Sequence, residues 1–432
     1  MRYKIPAGYL PVVALIAVQT LGALTAGYAW FVAVIAVETL AALMPPRRPA
    51  LASAAGHMLG WFISELPFAA IAWLLAATLV AAAQGRLGSP GGLAALGLAV
   101  LTAGGQAVIA RRALTAGPAV AHALDRDLGT GSRPVPARLA SGRLPGWRAL
   151  ARIVFAPLPL WPRHVQRIAN IRYGNAGRHN RLDLYRHRSH PAGAPVLIHF
   201  HGGGFRIGAK SRDALPLLHR LASQGWVCIS ASYRLGRAGQ FPHSLTDAKK
   251  VIAWARQHGA AYGADPSVLI VAGSSAGAHL AAMAALTPGD PAFQPGFEHA
   301  DTSVSAAVCL YGYYGDREPA GPRPSSPRAY ARADAPPFLI AHGASDPLLP
   351  ASSAASFADT LRRASASPVV YTQLPAAQHS FDLFHSIRFE HLIDGIQAFT
   401  AWVLPARDQS QHRPPGHAGR AAAMQTRPPR PG

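Results

Sequence analysis

The spacing of apolar residues divides the chain into two unlike parts. Residues 5–44, 58–83 and 93–110 are almost continuously apolar. Because roughly 20 residues cross a bilayer, the first stretch is long enough for two helices joined near residues 21–27. A cleaved signal peptide would explain only the beginning of that stretch, since the apolar pattern continues well past any cleavage site. The pattern therefore predicts a transmembrane region of four helices over residues 1–112.

Basic residues alternate with these predicted helices. They precede the first helix, separate the second from the third, and follow the fourth: Arg2, Lys4, Arg47, Arg48, Arg111 and Arg112. The loops on the opposite side carry no charge or only Arg86. Under the positive-inside rule, four helices with this pattern have both ends in the cytoplasm, which places the rest of the chain there as well. If the first two helices were a single one, the rest of the chain would lie on the other side.

Two acidic residues, Glu38 and Glu65, fall within the predicted membrane helices. Intramembrane acids often mark transport pathways. Both acids lie toward the cytoplasmic end in the four-helix arrangement, within reach of Arg47 or Arg48. An ion pair with a snorkelling arginine, or a contact between helices, explains them more simply than transport does.

Residues 113–167 have a mixed composition, which predicts a juxtamembrane linker. Arginines alternate with large apolar side chains, and several prolines exclude one long helix. Within this linker, residues 144–161 include Trp147 and Trp161 beside arginines, a composition typical of a bilayer interface. We expect this segment to lie on the membrane near the active-site mouth, although an ordered linker would have the same composition.

From residue 168 onward, predicted strands alternate with predicted helices. The strands are residues 171–173 and 182–185 (an opening hairpin), then 196–200, 226–231, 268–272, 305–311, 338–341 and 369–374. The helices are residues 213–223, 245–258, 278–286, 352–364 and 387–403. This alternation predicts an α/β domain over residues 168–404, a mostly parallel sheet with helices on both faces. The proline-rich basic tail, residues 405–432, is predicted to be disordered.

Composition narrows the function classes. The formal net charge is +21, yet half of the residues are hydrophobic and only 14% are charged. The arginines are scattered and no nucleic-acid recognition motif occurs, so a membrane surface is a better partner than nucleic acid. The two cysteines, Cys228 and Cys309, lie in strand-like runs and are expected to be small core residues rather than a disulfide.

A short motif after the strand at residues 268–272 carries the candidate nucleophile. The run Gly273-Ser274-Ser275-Ala276-Gly277 separates this strand from a predicted helix. A glycine-flanked serine at such a junction forms a sharp turn, the nucleophile elbow, which lifts the hydroxyl above the edge of the sheet. The pattern centres on Ser275, so Ser275 is the predicted nucleophile.

The predicted acid and base follow later strands. Asp346 comes shortly after the strand at residues 338–341, and His379 after the strand at residues 369–374. The carboxyl ends of parallel strands meet at one sheet edge, so both side chains should reach Ser275. The chain order serine, acid, histidine is that of a hydrolase triad. Asp382 and His385 are weaker substitutes because they lie beyond the end of the last strand.

A glycine run supplies the remaining part of the predicted site. The strand at residues 196–200 ends in His201-Gly202-Gly203-Gly204-Phe205. Without Cβ atoms, the N–H groups of Gly203 and Gly204 can converge with that of Ala276 on a developing oxyanion. Phe205 is a candidate substrate-binding residue beside them. His199 and His201 share a strand face, but no third ligand is spaced to complete a metal site. We therefore expect no metal ion here.

Together these motifs resemble the α/β-hydrolase fold of the hormone-sensitive-lipase-like esterases and lipases. Residues 273–280 are also similar to bacterial feruloyl-esterase-like and arylformamidase-like proteins. The resemblance implies carboxylic ester hydrolysis through an acyl-enzyme, without a cofactor. Two features depart from it. Ser274 stands where hormone-sensitive-lipase relatives usually carry an acid, and a membrane region replaces the N-terminal segment that serves as their cap. The loop at residues 315–335 is too short for a large lid, so the cap comes from residues 113–165 or is absent.

The resulting hypothesis is a membrane-anchored esterase or lipase that cleaves lipid or other hydrophobic acyl esters. Acyl transfer to an alcohol and arylformamidase-like amide hydrolysis would use the same triad, and acceptor competition would distinguish them. A non-catalytic binding protein of this fold would be expected to lack a triad member. Several aromatic residues could line a substrate pocket or lie in the core: Phe205, Tyr311, Tyr313, Tyr314, Phe381 and Phe384.

Overall fold

A computed structural model describes most of the chain. The described residues are 27–46, 50–129, 137–141, 146–159, 162–189, 192–317 and 322–411. Several predictions therefore lie outside the described residues: the first membrane helix with Arg2 and Lys4, the pair Arg47 and Arg48, Trp161, and the disorder of residues 412–432.

Helices make up the N-terminal part of the described chain. They are α1 (Tyr28–Leu43), α2 (Ala50–Glu65), α3 (Pro67–Ala83), α4 (Pro90–Leu114), α5 (Ala116–Leu128), α6 (Ala137–Ala140) and α7 (Trp147–Phe155). Only Thr115 separates α4 from α5, and together, as Pro90–Leu128, they are long and apolar enough to cross a membrane. Among the described residues this is the single unbroken helix of that kind; α1 is apolar but shorter.

The prediction of one continuous helix over residues 58–83 is wrong. Helices α2 and α3 meet at Leu66 with a bend of 87°. Pro67 causes the break, because it lacks an N–H and disfavours helical geometry at the preceding residue, and Leu66 accordingly has φ −123° and ψ 50°. As a result α2 and α3 point in different directions.

The segment predicted as a juxtamembrane linker is largely structured. Helix α5 packs against the strand Val369–Leu374 and the helix Ile387–Gln411. Asp127 at its end accepts hydrogen bonds from Arg362 at 3.0 Å and from the Tyr371 N–H at 3.1 Å. Helix α5 is amphipathic, and its apolar side, which includes Val120 and Leu124, is buried. This helix therefore covers the sheet rather than linking two domains.

An eight-stranded sheet forms the centre of the described chain. The strands are β1 (Val165–Arg172), β2 (Arg181–His187), β3 (Ala194–Phe200), β4 (Val227–Ala231), β5 (Ala264–Ser274), β6 (Ala306–Leu310), β7 (Phe338–Gly343) and β8 (Val369–Leu374). Their order is β1-β2-β4-β3-β5-β6-β7-β8. The first two pairings are antiparallel and the others parallel. The β1–β2 hairpin and the mostly parallel sheet are as predicted, whereas the antiparallel pairing of β2 with β4 was not predicted. The hairpin strand β1 begins at Val165, before the predicted start of the domain.

Helices cover both faces of this sheet. They are α8 (Leu215–Ser223), α9 (His243–His258), α10 (Ala276–Leu286), α11 (Ala351–Ala364) and α12 (Ile387–Gln411). One core lies between the sheet and α9, α10 and α11, and the other lies beneath α5, α8 and α12. The fold-class prediction of a mostly parallel sheet between helical layers is confirmed. Cys228 and Cys309 are buried in strands as free thiols, also as predicted.

The last helix is longer than expected. It reaches Gln411 instead of ending near Val403, so the prediction of disorder is wrong for residues 405–411. The residues after Pro405 include Ala406, Arg407 and Gln409, which are good helix formers and allow the helix to continue.

Candidate active site

Ser275 lies at a strained turn between β5 and α10. Its φ of 54° and ψ of −114° are rarely adopted by a residue with a side chain. Glycines on either side allow the tight packing that holds this turn. A Cβ added to Gly273 would lie 2.1 Å from the Gly277 carbonyl oxygen, and one added to Gly277 would lie 1.9 Å from that of Phe200. The turn therefore requires the two glycines that the sequence motif supplies.

The structure brings the three predicted catalytic side chains together. Ser275 Oγ lies 3.0 Å from His379 Nε2, and His379 Nδ1 lies 2.6 Å from Asp346 Oδ2. Ser275 follows β5, Asp346 follows β7 and His379 follows β8, so each side chain leaves the carboxyl edge of the parallel sheet. Ser275 can thus donate to the imidazole while the carboxylate accepts from its other nitrogen.

Asp346 is held in its charged form. Burial alone would raise the pKa of this carboxyl, but His379 and a hydrogen bond from His342 lower its pKa well below the ordinary value. The backbone N–H groups of Leu348 and Leu349 each donate to Asp346 Oδ1 at 2.9 Å. A carboxylate fixed by several donors can orient the imidazole and balance a positive charge on it.

The predicted oxyanion donors line the same cavity as Ser275. Gly203, Gly204 and Ala276 all face it. In the described part of the chain, none of their three N–H groups donates to a backbone or side-chain acceptor. The neighbouring Gly202 N–H donates to Asp213 Oδ2 at 2.6 Å, which anchors the glycine run against the start of α8. The sequence does not single out Asp213 as a site residue, because an acidic residue at the start of a predicted helix is common.

The cavity around Ser275 has a volume of about 500 Å³. Its lining is mostly apolar and aromatic: His57, Met58, Gly202, Gly203, Gly204, Phe205, Arg212, Asp213, Ser275, Ala276, Tyr311, Tyr313, Leu348, Leu349, His379 and Ser380. Phe205 is thus in the pocket wall, as are Tyr311 and Tyr313. By contrast, Tyr314, Phe381 and Phe384 are fully buried core residues.

Asp382 and His385, the weaker substitutes, lie away from the serine–histidine contact. Asp382 accepts from Ser274 Oγ at 2.5 Å and from the Tyr311 hydroxyl. Burial raises the pKa of Asp382 to about 7, and nearby Asp213 adds to the rise. His385 Nδ1 instead donates to Glu390 at 2.6 Å. Asp382 therefore buttresses the turn from behind, through the residue that precedes Ser275.

The two histidines of the glycine-run strand have separate protein partners. His199 Nε2 donates to Ser274 Oγ at 2.9 Å, whereas His201 Nδ1 donates to the Gly202 carbonyl at 2.7 Å and stacks on Tyr233. Burial lowers the pKa of each histidine to about 4. Among the described residues, no group of three His, Cys, Asp or Glu side chains is arranged to hold a metal ion.

Helix α2 supplies a wall of the pocket that the sequence did not predict. Its His57 and Met58 line the cavity, and the His57 ring lies edge-on to the His379 ring with centroids 5.9 Å apart. The cap was expected from residues 113–165 or not at all; in the described chain, α2 provides it. Met58 is the first residue of the apolar run predicted as a membrane helix, and His57 directly precedes that run, so no local signal points to the site.

Buried polar and aromatic contacts dock α2 onto the sheet domain. Glu65 accepts from Arg388 at 3.1 Å and from Ser386 at 2.8 Å, and these side chains are almost fully buried. Trp61 stacks on Phe384 with ring centroids 5.4 Å apart. The expected partners of Glu65, Arg47 and Arg48, lie outside the described residues; the pairing observed is with α12.

Several known proteins are similar to this chain. A family model described as BD-FAE matches residues 182–314. The probable carboxylic ester hydrolase LipM of Mycobacterium tuberculosis is 35% identical over 393 residues, which cover 83% of this chain and 89% of LipM. Esterase LipQ of the same organism is 38% identical, over 57% of this chain and 64% of LipQ. The apo form of Thermogutta terrifontis esterase 2 is 24% identical over 56% of this chain and 95% of that chain, with a TM-score of 0.47.

Proposed function

Because the chain belongs to the carboxylic ester hydrolases of the α/β-hydrolase fold, we propose that it cleaves hydrophobic acyl esters with a catalytic triad of Ser275, His379 and Asp346. The observation that carries this proposal is the continuous hydrogen-bonded chain from Ser275 through His379 to Asp346. Ester hydrolysis follows from membership of the family. Our proposal concerns which residues carry out the reaction and which class of ester is the substrate.

The proposed reaction proceeds in two halves. In the first, Ser275 Oγ attacks the ester carbonyl, His379 Nε2 takes the serine proton, and the N–H groups of the glycine run and Ala276 bind the oxyanion. His379 then returns the proton to the leaving alcohol, which leaves an acyl-enzyme. In the second half, water attacks this acyl-enzyme by the same route. Asp346 keeps the imidazole oriented and balances its charge throughout.

The lining of the pocket supports the proposal that the acyl group of the substrate is hydrophobic. Met58, Phe205, Leu348 and Tyr313 present apolar surface around Ser275. The cavity volume of about 500 Å³ is in the range of small-molecule sites. Burial of apolar groups there would favour esters with hydrocarbon chains over small polar ones.

A covalent trap tests the assignment of the nucleophile. An alkyl fluorophosphonate should react with the folded full-length chain in detergent micelles, because Ser275 Oγ can displace fluoride and the phosphoryl oxygen then occupies the oxyanion site. We expect one adduct per chain, and peptide mass spectrometry should locate it on Ser275. Heat-denatured protein is the control and should stay unlabelled. An adduct on Ser274 or Ser380, or none on folded protein that cleaves esters, would contradict the assignment.

We further propose that helices α1, α3 and α4 lie in a membrane and hold the catalytic domain on its cytoplasmic side. Large apolar side chains of α1, α3 and α4 face outward: Trp30, Val37, Leu40, Leu75, Leu79, Val80, Leu93, Leu98, Val100, Leu101 and Val108. An apolar surface of this extent is unusual for a protein in water. On α7, Trp147 is 75% exposed and Phe155 85% exposed, which suits an interfacial helix.

Extraction and labelling test the membrane proposal. Membranes from cells expressing the full chain should keep the protein in the pellet after washing at pH 11 in carbonate, since buried apolar helices resist that treatment. Release into the supernatant would rule out membrane insertion. For the orientation, Arg178→Cys places a thiol on an exposed loop, and the unmodified chain is a matched control because both native cysteines are buried. An impermeant maleimide should label this variant only after permeabilisation, and labelling of intact cells would contradict the cytoplasmic assignment.

A further inference from the structure

Exposed apolar side chains of the sheet domain are confined to the mouth of the active-site pocket. Of the Val, Leu, Ile, Met, Phe and Trp side chains described between residues 162 and 404, two are exposed: Ile207 by 66% and Leu348 by 40%. Leu348 lines the pocket. The backbone N–H of Ile207 donates to the carbonyl of Gly203 in the glycine run at 3.1 Å. Exposed apolar residues are ordinarily scattered over a surface, so their position at one opening points to an apolar partner there.

Helix α2 adds an apolar face to the same mouth. Met58 lines the pocket and is 61% exposed. It belongs to the outer face of α2, which consists of Leu51, Ala54, Ala55, Met58 and Leu59. These residues recur at intervals of three and four and therefore form one stripe along the helix. Between residues 51 and 65 no polar side chain is exposed. A helix that packs on a protein with one side ordinarily turns polar side chains to water on the other, and α2 does not.

Contacts of the site reach the ends of two helices that we propose to cross the membrane. Gln378, the residue before His379, donates to the carbonyl of Ala41 near the end of α1 at 3.3 Å. Arg388 donates to Glu65 at 3.1 Å, just before α3 begins at Pro67. A helix that crosses a bilayer ends at its surface. These contacts therefore place His379 and the pocket beside the membrane surface.

The direction of α2 fits a position along that surface. Its axis makes an angle of 87° with that of α3. With α3 across the bilayer, α2 runs nearly parallel to the membrane plane. Trp61 stacks on Phe384 on the inner side of α2, which leaves the outer face for lipid. Arg206, exposed beside Ile207, supplies a positive charge that suits anionic headgroups. Apolar contact together with basic residues is how interfacial elements bind a membrane.

We propose that the pocket opens onto the bilayer, and that esters held in the membrane enter it past Met58 and Leu348 without crossing water. The outer face of α2 and the side chain of Ile207 contact lipid in this arrangement. The substrate class is an acyl ester with chains long enough to stay in a leaflet, such as a diacylglycerol. This inference rests on the proposed function, because it delivers the ester to Ser275, and on the placement of α1, α3 and α4 in a membrane.

A spin label on α2 tests the contact with lipid. Ala55→Cys places a thiol in the middle of the outer face, and both native cysteines are buried. The full-length chain, labelled with a nitroxide, is studied in nanodiscs of phosphatidylcholine and phosphatidylglycerol. Oxygen concentrates in lipid and a charged nickel complex in water, so oxygen should relax the label at residue 55 more strongly than nickel does. Arg178→Cys, on an exposed loop of the sheet domain, is the control and should show the reverse order.

Two other results of this measurement would overturn the inference. Stronger relaxation by nickel at residue 55 would show that the outer face of α2 lies in water. Protection from both reagents would show that another part of the chain, such as residues 1–26, or a second copy covers that face. In either case the pocket does not open onto lipid.

Activity on two esters tests the route of entry. The probes are dioleoylglycerol, which stays in the nanodisc, and p-nitrophenyl butyrate, which dissolves in water. Leu51→Gln/Leu59→Gln changes the outer face at two residues that do not line the pocket. We expect turnover of dioleoylglycerol to fall about tenfold, since the loss of apolar burial at two leucines is worth at least that factor. Turnover of p-nitrophenyl butyrate should stay within about twofold, as for other surface substitutions.

A second pair of replacements controls for a general loss of membrane contact. Trp147→Gln/Phe155→Gln changes two exposed apolar residues of α7, away from the pocket lining. This variant should keep more of its turnover of dioleoylglycerol than Leu51→Gln/Leu59→Gln does. Equal losses in the two variants, equal losses for the two esters, or no loss for dioleoylglycerol would overturn the route of entry.

The outcomes also separate this inference from the proposed function. Turnover of p-nitrophenyl butyrate that disappears in Ser275→Ala, together with a label at residue 55 in water, would keep the triad and remove only the opening onto the bilayer. Absence of Ser275-dependent turnover for both esters, with no phosphonate adduct on Ser275, would remove the proposed function and the route of entry with it.

Discussion

Replacing Ser275 with alanine is expected to lower kcat for ester hydrolysis by about a million-fold, because the acyl-enzyme can no longer form. The variant should keep the fold, since Ser275 donates no structural hydrogen bond other than that to His379 among the described residues. The measurement is single-turnover hydrolysis of a p-nitrophenyl ester, compared with the circular dichroism spectrum and melting temperature of each protein. Loss of less than about a hundredfold would show that another residue attacks the ester.

Ser274→Ala is the matched control for this experiment. Ser274 is the adjacent serine, but its hydroxyl donates to Asp382 and accepts from His199 behind the turn. Its removal leaves buried groups unsatisfied and should lower the free energy of unfolding by about 1–3 kcal/mol. The rate per folded molecule should stay within about tenfold of the wild type. Comparison of the Ser275→Ala and Ser274→Ala variants thus distinguishes a serine that reacts with the ester from one that stabilises the turn.

Replacing Asp346 with asparagine is expected to lower kcat by about a thousand- to ten-thousandfold, with little change in KM. The carboxylate accepts from His379 Nδ1 at 2.6 Å, whereas an amide can turn its NH₂ group toward that nitrogen and favour the wrong tautomer. The charge that balances the imidazolium is lost as well. Steady-state kinetics across a series of ester concentrations separate kcat from KM.

Asp382→Asn distinguishes the two buried acids near Ser275. Asp382 contacts Ser274 and Tyr311 rather than His379, so its replacement should cost no more than about tenfold in kcat. If Asp382→Asn were as damaging as Asp346→Asn, the assignment of the triad acid would have to be exchanged. Both variants are neutral amides at buried positions, which makes their comparison direct.

The sequence predicts the catalytic edge of the sheet well because local patterns determine it. Each catalytic side chain follows a short apolar strand, and the carboxyl ends of neighbouring parallel strands must meet. The glycines beside Ser275 are required by contacts under about 2.2 Å that any Cβ would make. Such constraints act within a few residues, so they are legible in the printed sequence.

The cap was beyond prediction because its position depends on a contact between distant parts of the chain. Glu65 and Arg388 are 323 residues apart in sequence. The sequence indicates an acid in a membrane helix at Glu65, and nothing in it marks Arg388 as the partner of that acid. Only the folded structure shows that each neutralises the other in a site that excludes water.

Helix periodicity also failed to separate membrane helices from helices that pack on the sheet. Helices α2 and α4 are both rich in alanine and leucine, yet α2 docks on the catalytic domain. Pro67 ends α2 and starts α3 in a different direction. The sequence shows the proline but does not show which part of the protein each of the two helices then contacts. Helix α5 continues directly from α4 but buries its apolar face against β8. Composition shows how apolar a helix is, but it does not show whether the helix contacts lipid or another part of the protein.

The docking of α2 has a consequence for how this enzyme can be divided. A fragment that begins after residue 112 would keep every motif of the elbow, the glycine run and the triad. It would also leave Arg388 as a buried cation without Glu65, and the pocket would lose His57 and Met58. The change of composition after residue 112 is therefore not a boundary at which the chain can be divided into two independent domains. A chimera made from two relatives would have to take α2 and the sheet domain from the same parent. Otherwise its active-site pocket would lack the wall formed by α2.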